Sequence, residues 1–198
     1  SGWSFSRQSL RAGLALDELL VLNDFEALAL SLPRLGAAQL RPIGGPRTGA
    51  AASAMAVIGP GTGLGVAGIL PTAAGWVAVP GEGGHASLAP ADDFESQLLA
   101  AARSEFPHVS AERFLSGIGL PVLHRAVAAV MGMATPVLAT ETIVERGLDR
   151  TDAVCDRTLD AFCALLGSLP AARRWCWARA AVSTLAAASC RAWVNASS

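Results

Sequence analysis

The sequence predicts an α/β fold, and three observations lead to that prediction. Residues 54–79 hold three short apolar segments separated by Gly and Pro, a pattern typical of buried strands joined by turns. Residues 92–167 instead carry apolar side chains at helical spacing, and strands followed by helices indicate an α/β protein. The chain has 198 residues, 52% of them hydrophobic, so it suits one domain, or one and a fraction, around a buried core.

The first predicted elements are a helix near Ser6 to Gly13 and a strand at residues 19–22. Because residues 19–22 are continuously apolar, we expect that strand to be buried on both faces. It ends at Asn23-Asp24, and a helix follows from about Phe25 to Leu32, just before a proline. Residues 41–48 are rich in Gly and Pro and predict a turn.

Strands are predicted around residues 54–58, 64–70 and 76–79, the last as a short buried strand. The first two are joined by the loop Gly59-Pro60-Gly61-Thr62-Gly63-Leu64-Gly65. Residues 48–81 contain no charged side chain, so a membrane span is the alternative interpretation. We favour a hairpin of central strands, because this loop would break a membrane helix near its middle.

The second half of the chain is predicted to be mostly helical. The first of these helices opens with acidic residues, which suit the positive end of a helix dipole. The predicted helices run from Asp92 or Asp93 to about Glu105, from Ser110 to an interruption at residues 116–120, from Val122 to Met131, from Thr140 to Gly147 and from Asp152 to Gly167.

Composition excludes several classes of site and partner. All 15 basic residues are arginine, and the absence of lysine excludes a P-loop lysine, a protein-kinase active site and a Schiff-base lysine. The formal net charge is -1 with no basic run, which argues against nucleic acid or an anionic membrane as the main partner.

The four cysteines show neither a CxxC pair nor zinc spacing, so we expect buried thiols in a reducing cytoplasm. Nothing resembles a signal peptide. The chain opens with Ser1-Gly2-Trp3 and no methionine, from which we expect an internal piece of a longer protein. The cysteines are Cys155, Cys163, Cys176 and Cys190.

Two segments could carry chemistry close to the predicted strands. Asp24 follows the first strand, where α/β proteins commonly place ligand groups, although an Asn-Asp pair is also a common helix cap. The glycine loop offers backbone amides and the Thr62 hydroxyl, which could form a nest for phosphate oxygens. A glycine-rich hairpin with no ligand is the alternative for that loop.

Glu82 and His85 flank two glycines that directly follow a strand, so backbone and polar side chains could both approach a ligand. One Glu and one His supply only two metal ligands, and His108 and His124 have no matching neighbours in sequence, so no metal site is predicted. Glu112 could equally serve the dipole of the helix predicted at Ser110.

Several segments, in their order and spacing, closely resemble bacterial glucokinase. The resemblance covers residues 1–168 and implies a ribonuclease H-like, actin-like ATPase fold, mostly the large domain and incomplete at both ends. It divides the chain into the end of the small domain and hinge (1–24), a large-domain portion with the sugar site and one phosphate loop (25–168), and a non-native tail (169–198). The segments are residues 23–27, 59–65, 79–85, 110–117 and 162–167.

The resemblance implies ATP-dependent phosphorylation of the glucose 6-hydroxyl, with Asp24 as the catalytic base. Magnesium would arrive with the nucleotide, and the intact parent would be a cytoplasmic homodimer. We expect the chain as given to be inactive, because the family's first phosphate loop would precede residue 1. The implied sugar-binding residues are Asn23, Glu82, His85 and Glu112, and the implied contacts to ATP phosphates are Gly61, Thr62 and Gly63.

The tail departs from the family's glycine-rich adenosine element. Back-translating residues 170–197 with GC-rich codons and regrouping them by one base can spell that element, so we hypothesise a shifted reading frame. The alternative is an amphipathic helix, but Trp175, Trp177 and Trp193 make no sustained helical stripe. Ile118 stands where the family usually has proline, which puts the local turn in doubt.

Two alternative functions stay open at this point. The first is a non-catalytic sugar-binding or regulatory relative that has lost nucleotide binding. The second is a kinase for another hexose or an amino sugar, because single positions do not reveal hydroxyl selectivity.

Overall fold

The computed structural model of the chain describes residues 5–39, 53–173 and 181–182. Helices and strands are both present, so the predicted α/β class is confirmed. The helices are α1 (Arg7–Gly13), α2 (Asp24–Ser31), α3 (Asp93–Arg103), α4 (Leu120–Val130), α5 (Thr140–Leu148) and α6 (Ala153–Arg173). The strands are β1 (Met55–Pro60), β2 (Leu64–Thr72), β3 (Gly75–Val79) and β4 (Ala181–Val182), and short 3-10 turns lie at Leu32–Arg34, Ala37–Gln39 and Gly83–His85.

The described strands form one sheet in the order β3-β2-β1-β4. β1 and β2 are antiparallel and close at the pair Pro60 and Leu64, which confirms the predicted glycine-loop hairpin. β3 pairs with β2, as expected for the third strand, but it lies at the sheet edge and Val77 is 50% exposed, so the prediction that it is buried is wrong. β4 pairs in parallel with β1 through Met55 and Ala56.

Helix α2 packs on this sheet through the ring of Phe25. A Cβ added to Gly59 would stand 2.9 Å from that ring, and one added to Gly65 would overlap it. The two glycines therefore let the helix approach the hairpin more closely than any side chain would allow. Ala29, Ala67 and Ile69 form a small buried cluster in the same region.

The remaining helices build the larger core. α4 packs against α3, α5 and α6, and α5 packs against α6. Phe114 and Leu115 are fully buried among these helices although they lie in the turn segment between α3 and α4. The core therefore anchors the turn segment, and this segment carries Glu112.

The buried strand predicted at residues 19–22 is wrong. These residues form no strand, and the side chain of Leu20 is 74% exposed. A strand needs a partner for its backbone groups, and none of the strands among the described residues pairs with this segment. Leu10, Leu14 and Leu16 nearby are also exposed large apolar side chains.

The helix predicted from Ser110 is also absent: Ser110 forms an isolated bridge with Ser87, and residues 111–119 form turns and bends. The amides of Ala111 and Glu112 donate to the carbonyls of Ala86 and Gly84, at 2.9 Å each. These hydrogen bonds hold the segment against the 3-10 turn Gly83–His85 and the residue that follows it, and no regular helix begins there. The interruption predicted at residues 116–120 ends at Leu120, where α4 begins.

The other helix predictions are confirmed, with shifted ends. α1 is capped by Ser6 and α3 by Asp92, whereas α6 continues beyond Gly167 to Arg173. The turn predicted at residues 41–48 and most of the tail lie outside the described residues. Among the helices that the structure describes, none is both long and apolar enough to cross a bilayer.

Candidate functional site

A polar pocket of about 360 Å³ opens between the start of α2, the glycine loop and the turn that carries Glu112. It brings together segments that are far apart in the sequence. Its lining residues are Asn23, Asp24, Phe25, Glu26, Gly61, Thr62, Gly63, Leu64, Gly65, Val66, Ala67, Pro80, Gly81, Glu82 and Glu112.

Asn23 and Asp24 are placed by the first turn of α2. The Asn23 Oδ1 accepts the Phe25 amide at 2.9 Å, and the Glu26 carboxylate accepts the Asn23 amide at 3.4 Å, which completes a capping box. The Asp24 Oδ1 accepts the same Phe25 amide at 2.8 Å. The cap interpretation therefore holds for Asn23, while Asp24 is the first residue of the helix, at its positive end.

The glycine loop is held from two sides. Within the loop, the Gly61 amide donates to the Gly63 carbonyl at 2.8 Å, and from outside the Gly117 amide donates to the Gly61 carbonyl at 2.8 Å. Thr62 lies at the tip between these contacts and is exposed. The loop conformation is thus fixed by backbone hydrogen bonds, and Thr62 lines the pocket.

Glu112 ties the turn segment to the beginning of β2. Its Oε2 accepts the Leu64 amide at 2.9 Å. A Cβ on Gly63 would run into the same carboxylate, so Gly63 makes room for this contact. Since no helix begins at Glu112, the alternative that it merely serves a helix dipole is wrong.

His85 stands between two carboxylates at the rim. Its Nε2 is 3.5 Å from the Glu82 Oε2, and its Nδ1 is 3.9 Å from the Glu112 Oε1. His85 and Glu82 are largely exposed, with 62% and 89% of their side chains accessible. His85 alone of the eight predicted site residues does not line the pocket, although it contacts two residues that do.

The pocket can therefore present several directed hydrogen-bond acceptors to one small polar molecule. Asp24, Glu82 and Glu112 supply carboxylates around it, and the loop of residues 61–63 supplies backbone groups and a hydroxyl. Sequence reasoning missed Glu26 and Phe25 as lining residues. The signal for Glu26 was present, because a Glu three residues after an Asn is a capping box.

A second polar group lies outside this pocket, where α4 meets the start of α6. The ligand-type atoms of His124, Asp152 and Cys155 lie within 4.8 Å of one another, so the expectation that His124 has no matching neighbours is wrong. The Cys155 Sγ is 3.6 Å from the His124 Nε2. The Asp152 Oδ1 accepts the amides of Val154 and Cys155 at 2.9 and 3.0 Å.

Burial and hydrogen bonds shift the titration of all three groups. Burial of the imidazole lowers the pKa of His124, the nearby Asp152 charge opposes that shift, and Arg125 reinforces it. The backbone amide of Cys155 is the main cause that lowers the pKa of Asp152. Burial, with the Asp152 charge, raises the pKa of the Cys155 thiol to about 11.

Comparison with curated relatives assigns most of the chain to one family. A sequence model of the family described as Glucokinase matches residues 1–173. The glucokinase of Chromobacterium violaceum is 51% identical over 168 residues, which cover 84% of this chain and 47% of the relative. The glucokinase of Nitrobacter hamburgensis is 42% identical over 167 residues, which cover 84% of this chain and 52% of the relative. The chain spans about half the length of the curated relatives it matches.

Solved structures agree with this assignment. A glucokinase from an Antarctic psychrotroph superposes with a TM-score of 0.81 at 36% identity, over 90% of this chain and 55% of that one. The ROK hexokinase of Thermus thermophilus, at 16% identity, has a TM-score of 0.57 over 96% of this chain and 61% of that one, which concerns the fold alone. The expected actin-like ATPase fold is confirmed, and the chain belongs to the glucokinase family.

Proposed function

We propose that the intact protein transfers the γ-phosphoryl group of ATP to the 6-hydroxyl of glucose. The observation that carries this proposal is the pocket itself. It places a helix-borne carboxylate, Asp24, in the same cavity as the glycine loop around Thr62. Phosphoryl transfer to an alcohol needs a proton acceptor at the hydroxyl and a cradle for phosphate oxygens, held in fixed relation.

In this proposal Asp24 accepts the proton of the attacking hydroxyl. Asp24 is the first residue of α2 and lines the pocket, so the helix fixes where this carboxylate meets a bound molecule. The hydrogen bond from the Phe25 amide to one carboxylate oxygen, at 2.8 Å, fixes the group's orientation. The other oxygen is then the one available to the sugar.

Asn23, Glu82, His85 and Glu112 are the proposed sugar ligands. A polyhydroxylated ring offers several O–H donors, and carboxylate oxygens around a pocket can each accept one. Such directed acceptors also discriminate against a sugar with an altered hydroxyl, because the missing partner leaves a polar group unpaired. His85 would join this set from the rim, through its contacts with Glu82 and Glu112.

Gly61, Thr62 and Gly63 are the proposed contacts to the phosphates of ATP, which enters as its magnesium complex. Backbone amides and a hydroxyl can hold phosphate oxygens without a lysine, which this chain lacks. The bound Mg²⁺ neutralises charge on the transferred group. The carboxylates of the pocket fit a hydrated magnesium complex better than they fit bare phosphate.

We also propose the wider organisation that this activity implies. Residues 1–24 would belong to the small domain and hinge, residues 25–168 to the large domain, and residues 169–198 to a tail in a shifted reading frame. The intact protein would be a cytoplasmic homodimer with no nucleic-acid or membrane partner. The 198-residue chain by itself would not turn over glucose.

The test is the rate at which the intact protein and its Asp24→Asn variant phosphorylate glucose with magnesium and ATP. Asparagine keeps the size and the cap contact but accepts no proton at neutral pH, so kcat should fall about 10²- to 10⁴-fold with little change in the glucose KM. An unchanged kcat in Asp24→Asn would remove Asp24 from the proposed chemistry.

A second candidate is a sugar-binding relative without catalysis. It is favoured by the fact that three of the four proposed sugar ligands line one pocket, and the fourth, His85, contacts two of them. Calorimetry of the 198-residue chain separates the two candidates: glucose binding without ATP binding supports the sugar-binding protein. A folded chain that binds neither ligand argues against it.

A further inference from the structure

We propose that His124, Asp152 and Cys155 bind one Zn²⁺ ion that joins α4 to the start of α6. These residues supply one nitrogen, one oxygen and one sulfur atom within 4.8 Å of one another. Imidazole, carboxylate and thiolate are the three side-chain types that bind zinc in proteins. The group does not line the pocket and is independent of the proposed kinase activity.

The distance between the ligand atoms of His124 and Cys155 fits a zinc ion with tetrahedral coordination. Zinc bonds of about 2.3 Å to sulfur and about 2.0 Å to nitrogen, at a tetrahedral angle, place the two ligand atoms about 3.5 Å apart. The Cys155 Sγ and the His124 Nε2 are 3.6 Å apart. An ion could therefore bind both atoms with little movement of either helix.

Asp152 is held in place for the third bond. Its Oδ1 accepts two amides of the first turn of α6, at 2.9 and 3.0 Å, which orient the carboxylate beside Cys155. The Arg146 guanidinium lies 4.0 Å from the Asp152 Oδ2. Hydrogen bonds of this kind orient ligands in metal sites.

Charge and burial favour zinc over a hard cation. His124 and Cys155 are almost completely buried, at 1% and 0% exposure. One carboxylate and one thiolate oppose the two positive charges of Zn²⁺, which limits the cost of placing the ion in a core. Calcium and magnesium prefer oxygen ligands, whereas thiolate favours zinc.

The test uses Co²⁺ and Zn²⁺ as probes, added while the chain refolds, because the closed core favours loading as α6 docks. Cys176→Ser and Cys190→Ser form the background, since these two thiols could also bind metal. Adding Cys163→Ser leaves Cys155 as the sole thiol. This triple variant should bind one Co²⁺ per chain with a thiolate-to-cobalt charge-transfer band, and zinc should abolish the band.

His124→Gln in the same background should lose the band and weaken zinc binding at least tenfold, and Asp152→Asn should weaken it 10- to 100-fold. Absence of the band from the triple variant overturns the proposal, even if the His124 variant does not fold. A band that survives His124→Gln in a folded protein also overturns it, because the cysteine then binds metal without the histidine.

Discussion

The Oε2 of Glu112 accepts a hydrogen bond from the backbone amide of Leu64 at 2.9 Å, across 48 residues of sequence. Leu64 is the first residue of β2 and directly follows the glycine loop. Glu112 is therefore both a proposed sugar ligand and a structural support of the proposed phosphate loop. Its substitution should affect stability as well as binding.

Replacing Glu112 by Ala should lower the free energy of unfolding of the chain by about 1–3 kcal/mol. The reason is that Leu64 is only 5% exposed, so its amide would lose its partner in a poorly hydrated place. Urea denaturation measures the change.

Glu105→Ala is the matched control, because it removes a half-exposed carboxylate paired with Arg125 at the surface. That variant should lose about 0–1 kcal/mol. Equal losses in the two variants would contradict a supporting role for Glu112.

Gly65→Ala should destabilise the chain by about 1–3 kcal/mol, since the added methyl group overlaps the ring of Phe25. Gly61→Ala is the control within the same loop, because a Cβ there meets no atom within 4 Å. Thermal unfolding of both variants measures the difference. If Gly61→Ala proves as harmful as Gly65→Ala, the close packing of α2 on the hairpin is not the cause.

Stability should fall as the pH drops below about 6.5, the ordinary value for histidine, because the pKa of His124 is lowered in the fold. The unfolded chain then binds a proton that the folded chain rejects, so acid favours unfolding. Asp152, whose pKa is also lowered, contributes only below about 3.8, so the two windows are separate.

Urea denaturation at pH 7.5 and pH 5.5 measures this effect of His124. The chain with His124→Gln should show a shallower loss of stability between these two pH values. The groups that face His124 in the metal-free chain are Asp152, Cys155 and Arg125. An unchanged slope in the variant would show that His124 is not the cause of the pH dependence.

Cys155 should resist alkylation in the folded, metal-free protein. Its thiol is fully buried, and its pKa is raised to about 11, so thiolate is scarce at pH 8. In the Cys176→Ser and Cys190→Ser background, a thiol reagent should modify neither remaining cysteine until denaturant is added, because Cys163 is also buried. Rapid modification at pH 8 without denaturant would show that this part of α6 opens readily.

Local sequence patterns correctly predicted the elements whose hydrogen bonds join residues that are close together in the sequence. The hairpin at Gly59 to Gly65 and the capped helix at Asp92 are of this kind. The strand at residues 19–22 failed because a strand depends on a partner that the apolar pattern does not specify. The segment at Ser110 failed because its amides pair with residues 84–86, more than 20 positions earlier.

The candidate site residues were predicted from the family resemblance. Their spacing in the sequence does not by itself predict that they meet in one pocket. Asp24 and Glu112 reach one pocket only because α2 and the turn segment both pack against the glycine hairpin. The His124 group was missed for a related reason. Cys155 follows Asp152 by one helical turn, but His124 approaches them from another helix.

The packing of Phe25 has a mechanical consequence for the proposed reaction. Phe25 directly follows Asp24, and its ring rests against Gly59 and Gly65, on both sides of the loop that carries Thr62. The proposed base and the proposed phosphate loop are therefore coupled through the packing of one aromatic ring. The spacing of these two groups would then depend on the packing of Phe25, so a change that displaces its ring would also misalign the proposed transfer.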